Sequence, residues 1–122
     1  MGKLVRRFED LVAWQMAMDL SVFIYDISSE RPFSRDFALS NQIHRSANSI
    51  SSNIAEGFER NSGREFRRFL AIAKGSCGEL RSQIHLARRL AYISQDAHDA
   101  AVTTAEDVSR KIGRLRESIK TT

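Results

Sequence analysis

The sequence predicts an all-α protein, folded as an antiparallel up-down-up-down four-helix bundle. Apolar residues recur at alternating steps of three and four through four long segments, which is the period of an amphipathic helix. The connections between these segments are short, and short connections make successive helices antiparallel neighbours. The 122 residues include one proline and six glycines, too few for the many turns of a β-sandwich or barrel.

A chain of this length corresponds to one domain, so we assign residues 1–122 to a single bundle. The four helices are predicted at approximately 7–28, 35–57, 62–91 and 95–119.

The first predicted helix is apolar on more than one face. Its expected core stripe consists of Phe8, Leu11, Gln15, Met18, Val22 and Tyr25. A bundle helix needs only one buried stripe, and a second apolar patch in a soluble protein marks an interface. The candidate oligomer-interface residues are Trp14, Phe23 and Ile24. A closed ring of identical subunits, joined head to tail, would bury such a patch.

The second helix is predicted to begin near Ser34 or Arg35, because Pro32 breaks the preceding pattern. Gly57 is expected as its C-cap, since glycine tolerates a left-handed backbone. The core stripe consists of Leu39, Ile43, Ala47, Ile50, Ile54 and Phe58.

The third helix has a capping-box start, with Ser62 as the N-cap and Glu65 reaching back. Gly75 and Gly78 lie in its interior, where we favour close approach of another helix as their role. Its core seam consists of Phe66, Leu70, Ala73, Cys77, Leu80, Ile84, Ala87 and Ala91.

The fourth helix is predicted to start at the cap Ser94. Arg114, Arg116 and Lys120 lie near its C-terminal end, where cations suit the helix dipole. Its inner face consists of Ala97, Ala101, Thr104, Val108, Ile112, Leu115 and Ile119.

Sequence signatures of enzymes are nearly absent. No nucleophile elbow, zinc-protease motif or glycine-rich phosphate loop occurs. Cys77 lies on a core seam, so a buried, inert thiol is expected. His44 and His85 flank core positions, and packing roles are favoured over ligation. We therefore expect no enzymatic activity, no cofactor and no metal site.

The sequence also has no apolar run long enough to cross a membrane. The basic N-terminus lacks the apolar core of a signal peptide. A cytoplasmic location without membrane contact is therefore expected.

A polar stripe follows one side of the second helix, at steps of four, four and three: Arg45, Ser49, Asn53 and Glu56, with Arg60 next. A base, a hydroxyl, an amide and a carboxylate on one side could form a ligand site. The favoured interpretation is a hydrogen-bond network at a helix or subunit contact that fixes register.

Basic residues are concentrated in the middle of the chain. The formal net charge is +4, but residues 60–91 carry eight basic and two acidic side chains. Five basic residues follow one another at steps of seven, a spacing that can track a phosphate backbone. The candidate nucleic-acid-binding residues are Arg60, Arg67, Lys74, Arg81 and Arg88, with Arg64, Arg68 and Arg89 nearby. In the alternative interpretation, the arginine stems cover the edge of the core.

Three stretches carry a resemblance to a known family: FEDLVAWQMA (Phe8–Ala17), QIHRSANSISSNIAEGFER (Gln42–Arg60) and FLAIAKGSCGEL (Phe69–Leu80). They resemble the bacterial four-helix-bundle proteins encoded in 23S ribosomal RNA intervening sequences. The accessory variability determinant of diversity-generating retroelements is similar in fold. The resemblance covers about residues 8–118.

This resemblance implies a four-helix protomer, a ring-like homopentamer and no enzymatic activity. The retroelement accessory proteins are taken to bind nucleic acid and a reverse transcriptase through a basic surface. Two hypotheses follow. The first is a non-catalytic oligomeric bundle that binds RNA or DNA backbone. The alternative is a protein–protein adaptor or assembly scaffold, for example a reverse-transcriptase accessory, without its own nucleic-acid affinity.

Overall fold

The computed structural model describes residues 5–120, which form four long helices and two short 3-10 turns and contain no strand. The 3-10 turns span Phe8–Asp10 and Phe33–Arg35, and the helices span Val12–Ile27 (α1), Phe37–Glu59 (α2), Gly63–Arg89 (α3) and Gln95–Ser118 (α4). Each bound lies within five residues of the predicted one, so the all-α class and the four helices are confirmed.

The helices pack around one core, with α2 between α1 and α3, and α4 between α3 and α1. The start of α3 contacts the end of α4 through Arg67 and Arg116, and the end of α3 contacts the start of α4 through Arg88 and Gln95. Ser28, just after α1, lies against His44 near the start of α2, and Gly57 near the end of α2 lies beside Phe66 near the start of α3. Successive helices therefore run antiparallel. The connections after α1, α2 and α3 have nine, three and five residues, short enough to enforce this order.

The core is built from the stripes predicted for the last three helices. The fully buried large side chains on these helices include Ile43, Ile50, Ile54, Leu70, Leu80, Ile84, Val108 and Ile112. Cys77 is buried among them, and this burial raises the pKa of its thiol to about 11. The prediction of a buried cysteine is confirmed.

The core stripe predicted for α1 is confirmed at Leu11, which is buried, and is wrong from Gln15 onward. The buried face of α1 consists of Ala13, Ala17, Leu20, Ser21 and Ile24. Met18, Val22 and Tyr25, expected in the core, are 40%, 68% and 44% exposed. The two faces of α1 are both apolar, and the one with small alanines lies against the neighbouring helices.

The same result excludes one of the three candidate oligomer-interface residues. Ile24 has no exposed surface within the chain, so it is unavailable to a second subunit. Trp14 and Phe23 are half-buried against the core, and the Trp14 ring packs edge-on against Phe8 at 5.4 Å. α1 does have a second, exposed apolar face, but this face is formed by Met18, Val22 and Tyr25.

Side-chain caps start three of the helices. Ser62 Oγ accepts a hydrogen bond from the backbone N–H of Glu65, and Ser94 Oγ accepts one from Ala97. Both predicted N-caps are confirmed, but the predicted return bond of the capping box is absent among the described residues, because the Glu65 carboxylate accepts from Arg68 instead. Asp36 caps α2 through the N–H of Leu39, so this helix begins after the predicted Ser34 or Arg35.

Two helix ends differ from prediction. Gly57 lies inside α2, and the left-handed residue beyond the end of this helix is Asn61, with φ 54°. The end of α3 is a Schellman motif, in which Tyr92 N–H donates to the Ala87 carbonyl and Ala91 has φ 61°. Ala91 is consequently exposed and does not extend the core seam.

Candidate nucleic-acid interface

The predicted line of basic residues along α3 faces α4. Lys74 Nζ donates to the carbonyl and hydroxyl of Ser109 at 3.1 and 2.9 Å. Arg67 Nη1 donates to the Arg116 carbonyl at 2.6 Å, and Arg116 Nε donates to the Arg67 carbonyl at 3.0 Å. These contacts hold two antiparallel helices together.

The two remaining residues of this line on α3, Arg81 and Arg88, also make contacts within the chain. Arg81 lies 3.9 Å from the carboxylate of Glu106 on α4. Arg88 donates to the Gln95 side chain and to the Ile93 carbonyl, bracing the α3–α4 connection. The alternative interpretation, in which these side chains cover the edge of the core, therefore describes their geometry better than an open phosphate track. A phosphate would have to share these side chains with their intramolecular partners.

Arg60 does not continue the line, because it follows α2 rather than lying on α3. It pairs with Glu56 at 3.0 Å and approaches Glu65 at 3.8 Å. Arg68 binds Glu65 with two hydrogen bonds of 3.1 Å, and these bonds hold the pKa of that carboxyl below its usual range. Both guanidinium groups lie over the ring of Phe69, at 5.0 and 4.5 Å from its centroid.

An open cleft of about 750 Å³ lies beside this cluster, at the start of α3 and the end of α4. Glu65 is the one acidic residue in its lining. Its cationic lining consists of Arg64, Arg67, Arg68, Arg116 and Lys120. The α3 N-terminus adds the positive end of a helix dipole, so the cleft favours anions.

The cleft belongs to a larger basic end of the bundle, defined by residues 5–11, 56–68 and 110–120. These segments hold eleven basic and six acidic side chains, a net charge of +5, whereas the whole chain is +4. Positive charge is therefore present both at this end and along α3, where residues 60–91 carry a net charge of +6. The opposite end holds the connections 28–36 and 90–94.

Four cations of the basic end are exposed and make no hydrogen bond or ion pair within residues 5–120: Arg6, Arg64, Arg114 and Lys120. Only Arg64 was among the predicted contacts. Arg114 and Lys120 were interpreted as partners of the α4 dipole, because one helix pattern cannot show that the end of α4 lies beside the start of α3. Arg89, also predicted as a contact, lies exposed at the opposite end.

The polar stripe of α2 divides into separate parts. Asn53 Nδ2 donates to the Ser49 hydroxyl at 2.9 Å, and Ser76 Oγ on α3 donates to the same hydroxyl at 2.9 Å. These three residues form a hydrogen-bond network between α2 and α3, so the favoured interpretation holds for Ser49 and Asn53 but not for Arg45 and Glu56. Glu56 is exposed and bonds Arg60, and the exposed Arg45 lines a small polar pocket with Glu79.

Within the described range, no group of three or more histidine, cysteine, aspartate or glutamate side chains is placed to hold a metal ion. None of the described helices is both long and apolar enough to cross a membrane. The fold and the charge distribution define the chain as a small antiparallel helical bundle with one basic end.

Within that class, the chain belongs to the 23S rRNA-intervening sequence protein family, whose model matches residues 9–114. The family predicted from the three sequence stretches is confirmed. A comparison with curated proteins gives no match.

The fold is similar to the crystal structure of a protein of unknown function from the S23 ribosomal protein family of Bacteroides thetaiotaomicron. The TM-score is 0.81 at 22% sequence identity, over 88% of this chain and 96% of that one. At this identity the likeness establishes the fold alone.

Proposed function

We propose that the protein is a non-catalytic bundle that binds RNA or DNA through phosphate contacts at its basic end. The single observation that carries this proposal is the excess of positive charge gathered around one open cleft, +5 at an end of a chain whose total is +4. Polyanions are attracted to such a surface, and the released counterions favour binding.

The contacts expected at this end go to phosphates rather than to bases. Phe69 lies beneath Arg60 and Arg68, so its ring is not open for base stacking. Phe58 and Phe66 pack against each other edge to face at 5.8 Å. With these aromatic rings engaged in the fold, little sequence preference is expected.

Assembly would multiply this charge. A ring-like homopentamer, the assembly expected from the family resemblance, would place five basic ends on one face if the bundles run parallel to its axis. Multivalent contact of this kind raises affinity without any new type of contact.

The proposal is tested with two variants that each lose four positive charges, one at the basic end and one elsewhere. In the end variant, glutamine replaces Arg6, Arg64, Arg114 and Lys120. In the control variant, glutamine replaces four exposed arginines elsewhere: Arg31, Arg35, Arg45 and Arg89. None of the eight makes a hydrogen bond or ion pair within residues 5–120, so both variants should fold.

Binding to a structured RNA and to duplex DNA is measured by fluorescence anisotropy at low salt. The end variant should lose about tenfold or more in affinity, and the control variant much less. Equal losses in the two variants would overturn the assignment to the basic end. Wild-type protein without affinity for either nucleic acid would overturn the function itself.

A second candidate function is a protein–protein adaptor, with self-association or a reverse transcriptase as its partner. The exposed apolar face of α1, formed by Met18, Val22 and Tyr25, favours this candidate. Val22→Asp should reduce the oligomer mass in light scattering without unfolding the chain. An unchanged mass would exclude this face as the subunit contact.

A further inference from the structure

Two histidines meet at the opposite end of the bundle, far from the basic end. His85 on α3 and His98 on α4 place their ring nitrogens Nδ1 and Nε2 2.9 Å apart. The His98 side chain is 15% exposed, and His85 is exposed. The pair bridges two helices next to their five-residue connection.

The neighbouring Asp99 fixes the tautomer of one ring. Its Oδ1 lies 2.8 Å from His98 Nδ1, and a carboxylate can only accept a hydrogen bond. Nδ1 of a neutral His98 therefore carries the proton, and Nε2 presents its lone pair toward His85. Gln95 Nε2 donates to the same carboxylate oxygen at 2.8 Å and holds it in position. Carboxylates orient metal-binding histidines in this way.

The second ring can present a lone pair at little cost. In the neutral pair, His85 Nδ1–H donates to His98 Nε2. Because His85 is exposed, its proton can move to Nε2, where water accepts the hydrogen bond. Both imidazoles can then present a lone pair to one ion between α3 and α4, once the rings turn from the facing orientation of their hydrogen bond.

We infer that His85 and His98 form a bidentate site for a divalent first-row transition metal, with Cu²⁺ or Ni²⁺ preferred. Metal–nitrogen bonds of about 2.0–2.1 Å across a 2.9 Å separation give an N–metal–N angle of about 90°. This is the cis angle of a square-planar or octahedral ion. Tetrahedral zinc would need the nitrogens about 3.3 Å apart.

The charged groups around the pair are already engaged. Arg81 and Arg88 lie about one helical turn to either side of His85 on α3. Arg81 pairs with Glu106, and Arg88 donates to Gln95. These arginines still lower the affinity for a cation, so binding should depend on both rings. Water molecules would complete the coordination.

The test is a titration of untagged protein with Cu²⁺. Calorimetry measures the affinity and stoichiometry, and electron paramagnetic resonance identifies the ligand nitrogens. Wild-type protein should bind one ion per chain with hyperfine structure from two nitrogens. His85→Gln and His98→Gln should each weaken binding at least tenfold, and Asp99→Ala should weaken it about 10- to 100-fold. Zn²⁺ should bind more weakly than Cu²⁺ or Ni²⁺.

The matched control is His44→Gln. His44 lies on α2, and its ring stacks on Tyr25 of α1 with Nε2 2.8 Å from Ser28 Oγ. It is remote from the histidine pair, so replacing it should leave the Cu²⁺ affinity unchanged. Circular dichroism checks that each variant is folded. A wild-type spectrum without two nitrogens, or His98→Gln with wild-type affinity, would overturn the inference.

Discussion

Replacing two glycines by alanine should change the stability of the bundle in opposite directions. Gly57 lies where α2 meets α3, and a Cβ there would come 2.6 Å from the Phe69 Cβ and 3.1 Å from the Phe66 ring. The first of these atoms is the base of a side chain, so no rotation can move it away. Gly75 lies within α3, and an added Cβ would meet no atom within 4 Å.

The magnitudes follow from two terms. Alanine in a helix interior is favoured over glycine by about 1 kcal/mol, so Gly75→Ala should stabilise the protein by about that amount. At Gly57 the same gain is opposed by a crowding cost of about 1–3 kcal/mol. Gly57→Ala should therefore destabilise the protein by up to about 2 kcal/mol.

Thermal and urea unfolding, followed by circular dichroism, measure both changes. For a chain of 122 residues, 1 kcal/mol corresponds to about 4 °C in Tm. We expect Tm to rise by about 4 °C for Gly75→Ala and to fall by as much as about 8 °C for Gly57→Ala. Equal stabilisation by both variants would refute the close approach of α2 and α3 at Gly57. A loss at Gly75 that depends on protein concentration would show that another subunit packs there.

Three further predictions concern single positions. Ala91→Gly should stabilise the protein by about 0.5–1 kcal/mol, because Ala91 has φ 61°, a conformation that glycine adopts readily. The control Ala100→Gly, within α4, should destabilise the protein by a similar amount. Urea unfolding measures both changes. Cys77, buried and with its thiol pKa raised to about 11, should react slowly with a disulfide reagent at pH 8 and rapidly in urea; rapid labelling of folded protein would contradict this. Ile24→Ala should cost about 2–5 kcal/mol of unfolding free energy and Val22→Ala under 1, and a reversal would restore the predicted core stripe of α1.

The sequence was sufficient for the helices and for three of the four core stripes, because each of α2, α3 and α4 has a single apolar face. It was not sufficient for α1. The face of Ala17 and Ile24 and the face of Met18 and Val22 are both apolar, so periodicity could not decide which one is buried. The decision depends on packing, since small alanines let the neighbouring helices approach.

The candidate site illustrates a second limit. A spacing of seven placed Arg67 and Lys74 on one side of α3, and the structure confirms that both face α4. Sequence spacing alone could not show that α4 supplies acceptors for these cations. Nor could it show that Lys120 and Arg64 line the same cleft, because that arrangement depends on how antiparallel helices bring distant ends together.

The salt dependence of nucleic-acid binding tests the central claim most directly. For duplex DNA, the slope of log K against log salt concentration is about −0.9 for each phosphate neutralised. The end variant, without Arg6, Arg64, Arg114 and Lys120, should show a slope shallower than that of wild-type protein by up to about 3.6 per subunit in contact. The control variant lacking Arg31, Arg35, Arg45 and Arg89 should keep the wild-type slope. Identical slopes for the end variant and wild-type protein would contradict the assignment of phosphate contacts to the basic end.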